Sequence, residues 1–368
     1  MAAVTFELRP GSSPSREPPA GGLVGRVLRA LAAVPAPPVA GLLAPLDHLR
    51  AAILRAVAPR ARSIVVARER RVALVGTLLL LTALVSTGLV PLWFIAIAPI
   101  VWGIPHILAD VRYLVARPGY HRRPGVAIAM GAAILAAGLG YGLRAGLAGA
   151  AGAILFSRAS WRRRAAGIAV VGVLFAMAVW AGARGDLFFA HAHNAVGFGI
   201  WWAWRRRASR LHWLPLAVFA GGAALILAGA LDPIVLRAGL HAPWTGLSER
   251  ALGFQLSPIR HGPWPTRFLV LYAFAQSAHY VVWVRLVPED DRPSGTPRSF
   301  TQSLRALHAD VGGLVLWVTL LSMIALAVWA AVSLGAARNG YIQMAFFHGY
   351  LELAAAAILW AEARREAS

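Results

Sequence analysis

Residues 93–115, WFIAIAPIVWGIPHILADVRYLV, decide the fold class. A helix needs about 20 mainly apolar residues to cross the hydrocarbon of a bilayer, and this stretch supplies them. Inside it stand His106 and Asp110, four residues apart and therefore on one helical face. Such a pair is costly in an apolar run unless it is partnered or holds an ion, so the stretch reads both as a membrane span and as the start of a site.

Outward from this stretch, apolar runs recur at roughly 72–90, 93–115, 124–143, 145–157, 165–182, 187–204, 214–231, 268–286, 310–335 and 341–361. The chain is 58% hydrophobic and only 14% charged, against about 25% charged in soluble domains. Soluble, fibrous and disordered classes are therefore excluded. The expected fold is all-α: a polytopic integral membrane helical bundle of about ten transmembrane helices, with a range of eight to ten because 145–157 is short.

All 36 basic residues are arginine, and with 15 acidic residues they give a net charge of +21. With the amino terminus inside the cell, 29 arginines fall on inner segments and seven on outer ones. That bias supports ten spans with both termini cytoplasmic. The charge is then a record of topology, not a nucleic-acid footprint, and the expected location is a bacterial inner membrane.

Residues 1–22 are rich in Pro, Ser and Gly and read as a disordered tail. Residues 23–71 alternate apolar stretches with arginine, as a basic amphipathic leader on an anionic membrane face does. The transmembrane domain is 72–361, with an outer loop at 232–267 rich enough in apolar and aromatic residues to fold as a lid, an inner loop at 287–309, and a cytoplasmic tail at 362–368.

The chemistry that remains is carried by histidines and carboxylates. The chain has no cysteine, which excludes disulfides, thiolate metal sites, iron–sulfur clusters and cysteine nucleophiles. Span two carries His106 and Asp110, span six His191, His193 and Asn194, span eight Gln276 and His279, and span ten His348 and Glu352. All four of these spans run from outside to inside under the arginine count. Counted from the span starts, His191 and His193 lie roughly 6 to 9 Å deep, His348 about 10 Å, His279 about 16 Å and His106 about 20 Å. The histidines are thus expected to converge between the outer half and the midplane.

Neutral imidazole ligates iron, zinc or copper, and a carboxylate one helical turn away binds the ion or holds the second ring N–H. His106/Asp110 and His348/Glu352 have that spacing. A His-x-His pair on a regular helix points its rings about 200° apart, so one of His191 and His193 is expected to ligate and the other to support it. The expected metal set is His106, His191 or His193, His279 and His348, with Asp110 and Glu352 as supports or further ligands. His48, His121, His212, His241 and His261 fall in tails or loops, where solvated surface is the default.

The stretch GIPHILAD resembles the Pro-His-Gly-x-x-Asp motif of the bacteriorhodopsin-related Brp/Blh type of β-carotene 15,15′-dioxygenase. Pro105, His106 and Asp110 match, Ile107 stands where that motif has glycine, and the HxxxH of the family is absent here. The resemblance implies an iron (Fe2+) dioxygenase cleaving a carotenoid or similar polyene, with the metal set above. Beside it stand a divergent relative with another lipid substrate, a zinc or haem b protein, and a transporter or channel using the same residues as a proton or ion path. The expected partners are a lipophilic small molecule and the lipid bilayer.

Overall fold

The computed structural model describes residues 34–203, 209–239, 242–292 and 295–362. The expected tail at 1–22, the beginning of the leader, His241 and residues 363–368 lie outside the described residues. Those described form an all-helical bundle without a strand. In chain order the helices are α1 (Ala40–Val66), α2 (Arg68–Leu89), α3 (Pro91–Asp110), α4 (Pro124–Ala136), α5 (Gly142–Leu155), α6 (Trp161–Ala181), α7 (Ala183–Ala203), α8 (Trp213–Leu227), α9 (Glu249–Leu256), α10 (Trp264–Val281), α11 (Phe300–Val332), α12 (Leu334–Ala345) and α13 (Phe347–Glu362). Pro91 and Pro124 open α3 and α4, where a missing N–H costs nothing. Ser299 and Gln302 close a capping box at the start of α11.

Seven helical runs are long and apolar enough to cross a membrane, where ten spans were expected. The difference has two physical sources. The expected spans 187–204 and 268–286 do form long helices, α7 and α10, but Arg184, Asp186 and the site residues dilute their apolar character. The expected third and fourth spans belong to one helical run, Pro124–Leu155, that folds back on itself. Gly140 and Gly142 take φ of +90° and +53°, a region nearly closed to residues with a Cβ, and reverse the chain there. The arms α4 and α5 then pack antiparallel, with Gly149 against Ala133 and Gly152 against Ala129. Asp186 of α7 holds the turn by accepting the Leu143 N–H at 2.7 Å.

The outer surface is apolar, as lipid contact requires and water would not permit. Val173, Met177 and Trp180 on α6, and Val318, Leu321, Val328 and Val332 on α11, are exposed. With the seven runs of membrane-spanning length, this defines an integral membrane protein. In α1, Leu42, Leu46, Leu49, Ile53 and Val57 are also exposed and fall on one helical face, the form of an interfacial helix.

Helix α10 is the hub of the bundle, packed against α2, α3, α7, α8 and α9. Below it, in the expected inner loop, the buried Glu289 carboxylate pairs with Arg71 at 2.5 Å, Arg292 at 2.7 Å and Arg285 at 3.1 Å. These pairs tie α2 to the helical turns that follow α10, Val282–Leu286 and Val287–Asp290. His212, expected on the surface, is buried beside Trp201, because the short helix Arg210–His212 turns it inward.

Candidate metal centre

Four histidine rings from four helices meet at the centre of the bundle: His106 of α3, His193 of α7, His279 of α10 and His348 of α13. The His106 ring lies 4.7 Å from that of His348 and 5.5 Å from that of His279, centroid to centroid. His193 lies 5.3 Å from His279 and 5.5 Å from His348. The rings meet largely edge to face.

The hydrogen bonds fix which nitrogen is available. His106 Nδ1 lies 3.2 Å from the Trp102 carbonyl, and His193 Nδ1 lies 3.2 Å from the Phe189 carbonyl. His348 Nδ1 contacts the Ala345 carbonyl. A carbonyl only accepts, so each Nδ1 carries the proton, and in the neutral ring each Nε2 keeps a lone pair. The helices themselves thus orient three imidazoles with Nε2 free to ligate. His279 makes no hydrogen bond at either nitrogen, and its Nε2 lies 3.3 Å from Glu352 Oε1.

Asp110 and Glu352 sit one turn along α3 and α13 from His106 and His348, as the i, i+4 spacing requires, and both are fully buried. None of their carboxylate oxygens has a hydrogen-bond partner, nor does His106 Nε2. Arg112 and Arg117, which could have neutralised Asp110, turn instead to Asp310 and Asp291. One ligand atom each from His106, Asp110, His279 and His348 falls within 4.8 Å of the others. A buried carboxylate demands a cation or a proton, and a set of unpartnered N and O donors at this spacing fits a metal ion.

Neither α7 histidine belongs to that set: the His193 ring packs beside it, against His279 and His348, and His191 lies apart from it. His191 faces the other way on α7, where its Nε2 meets the Leu256 carbonyl at 2.9 Å and its ring packs edge-on to Phe268 and Tyr272. Gly197 explains which side of α7 turns inward. A Cβ there would lie 3.0 Å from His279 Nδ1 and 3.1 Å from Trp283 Nε1, so glycine lets α7 approach α10 this closely without displacing either ring. His193, one turn before Gly197, shares that side.

A cavity of about 190 Å3 leads to the cluster. Its walls include Phe189, Ile342 and Phe346, and Leu252, Gln255 and Leu256 of α9 also line it, so the expected outer loop covers the site. Its polar lining includes residues that the sequence reading did not assign to the site: Tyr272, Tyr280, Arg338 and Tyr341. Gln276 donates to the Tyr280 hydroxyl at 2.9 Å, and the Tyr280 ring lies 4.7 Å from that of His106. The available signals were spacings to the intramembrane histidines: Gln276 stands three positions before His279, Tyr280 directly follows it, and Tyr341 stands seven positions, two helical turns, before His348.

Fold and site together define an integral membrane helical bundle with a buried histidine and carboxylate cluster at the end of a largely apolar cavity. Comparison with protein-family models, with curated proteins and with solved structures gives no match.

Proposed function

We propose that the cluster is a resident metal centre, and that the protein is a membrane-embedded oxidoreductase acting on a lipophilic substrate drawn into the cavity. The observation that carries this reading is the meeting of His106, Asp110, His279 and His348 with unpartnered donor atoms, away from water. His106, His279, His348 and His193 supply neutral imidazole nitrogens, and Asp110 and Glu352 supply charge to offset the ion. Imidazole with carboxylate suits ferrous iron in oxygenases, and zinc or manganese less distinctively. Edge-to-face packing of four imidazoles leaves no slot for a porphyrin, which favours a bare ion over haem. Iron bound here would supply the activation of dioxygen, a chemistry outside the reach of organic side chains. The protein's own residues orient the imidazoles, hold the substrate chain against Phe189, Ile342 and Phe346, and exclude water. Carotenoid cleavage in a bacterial inner membrane is the narrower form of this proposal, supported by the likeness of GIPHILAD to the dioxygenase motif.

A transporter is the weaker reading for a specific reason. One to two turns beyond Asp110 and Glu352, the buried side chains of Leu114, Val282, Leu286, Ala355 and Ile358 belong to one apolar cluster, which disfavours a polar path on that side.

Metal analysis of the purified protein tests the proposal. Wild type is expected to hold about one equivalent of a transition metal, with loss in His106→Ala, His279→Ala and His348→Ala. A wild-type protein without stoichiometric metal, after purification in iron-supplemented medium, overturns it.

A further inference from the structure

The cavity contains one charge that the metal reading does not use. Arg338 of α12 lines it and is only 7% exposed. Other buried or half-buried arginines face a carboxylate: Arg71 has Glu289, Arg123 has Glu362 and Arg267 has Asp232. Arg338 has none among the described residues. Its Nη1 donates to the neutral amide oxygen of Asn339 at 2.8 Å, and its Nε has no hydrogen-bond partner. A guanidinium does not give up its proton, so burial cannot neutralise it as it could a lysine. A buried cation within a membrane span is costly and persists where something of opposite charge visits it.

The groups around Arg338 extend the argument. Tyr272, Tyr280, Tyr341 and Gln276 line the same cavity and are uncharged at neutral pH, so they do not balance the guanidinium. The Tyr341 hydroxyl and the Gln276 Oε1 also lack hydrogen-bond partners. The guanidinium fork matches a carboxylate in a bidentate pair, and a phenol can donate to the same oxygens. Most of the remaining lining is aliphatic or aromatic, and His348 lies ten residues further on, about 15 Å along the helices.

We infer that Arg338 anchors the carboxylate of a long-chain acid, with the apolar chain lying along the cavity toward the histidines. This deepens the proposed function, on which it rests for the lipophilic character of the substrate. It specifies the class: an unsaturated acid held by its head and presented to the metal at mid-chain, instead of a hydrocarbon without polar ends.

The test is binding of cis-parinaric acid, a conjugated polyene fatty acid that fluoresces in apolar sites, and of its methyl ester, to the full chain in nanodiscs. The titration is run at a pH where the acid is ionised. A hydrogen-bonded charge pair in this setting predicts that wild type prefers the acid by about 10- to 100-fold. Arg338→Gln is expected to abolish the preference, and Arg338→Lys, which keeps the charge and loses the fork, to retain part of it. Equal affinity of unaltered protein for acid and ester overturns the inference whatever the variants do, as does an undiminished preference in Arg338→Gln. His106→Ala separates the two proposals. An acid preference that survives there and in metal-free protein supports the anchor even if the metal reading fails, whereas metal-loaded protein indifferent to the carboxylate sinks the anchor alone.

Discussion

Replacing Glu352 by glutamine separates a metal centre from a structural ion pair by the sign of its effects. Glu352 is fully buried, lies 3.3 Å from His279 Nε2 and has no hydrogen-bond partner at either oxygen. Glutamine keeps the shape and removes the charge. If a metal is bound, it stabilises wild type by about 2.7 kcal/mol at a free concentration of 100 times Kd. Removing a carboxylate that holds a metal-ligating histidine costs about 10- to 100-fold in affinity. At the same metal concentration the stabilisation then falls to between about 1.4 and 0.4 kcal/mol. Without metal the variant is expected to be at least as stable as wild type, because one buried carboxylate has been removed. Unfolding in detergent, with chelator and then with graded ferrous iron or zinc, measures both quantities. A plain His279–Glu352 pair predicts the reverse, with chelator-treated Glu352→Gln destabilised by about 3 to 5 kcal/mol. That result, or an undiminished metal response in the variant, refutes the reasoning.

Three further outcomes follow from the geometry. His193→Ala is expected to lower bound metal and His191→Ala to leave it unchanged, read by metal analysis, because only the His193 ring faces His279 and His348. Gly197→Ala places a methyl 3.0 Å from His279 Nδ1. It should destabilise by about 1 to 3 kcal/mol and weaken metal binding without removing a ligand, which unfolding and metal titration on one sample would show. Asp47, outside the spans, accepts the Phe300 N–H at 2.6 Å and the Thr301 N–H at 3.0 Å, tying α1 to the start of α11. Desolvation raises its carboxyl, but the donors at Thr301, Phe300 and Ser299 outweigh it and hold the group at about 2 instead of the usual 3.8. A carboxyl lowered on folding contributes above its unfolded value and loses that contribution as pH falls toward the folded one, so the α1–α11 contact should loosen between about pH 4 and 2. Hydrogen exchange at Phe300 and Thr301 should rise across that window in wild type and be raised throughout in Asp47→Asn.

The parts of this site legible in the sequence are those set by a single helix. The i, i+4 spacing alone puts Asp110 beside His106 and Glu352 beside His348, and a shared direction for four spans places their histidines at comparable depths. Which of His191 and His193 faces inward is a matter of helix rotation, fixed by the close approach of Gly197 to α10, which no local pattern reports. Arg338 was hidden for a different reason. Counted with the outer arginines, it looked like topology, because the expected tenth span began at residue 341, whereas the helix begins at Leu334 and carries the guanidinium into the cavity. Hydropathy alone runs α4 and α5 together, and the reversal of the backbone at Gly140 and Gly142 divides them into two arms, as the separate third and fourth runs of the sequence suggest.

That reversal bears on the surrounding lipid. At 1.5 Å per residue the arm α5, 14 residues long, reaches about 21 Å, well short of a hydrocarbon slab about 30 Å thick. A bilayer of that thickness is expected to thin beside the α4–α5 arms. Helix α13, which carries His348 and Glu352, packs directly on α5. The thickness of the host membrane is thus expected to bear, through α5, on one wall of the histidine cluster.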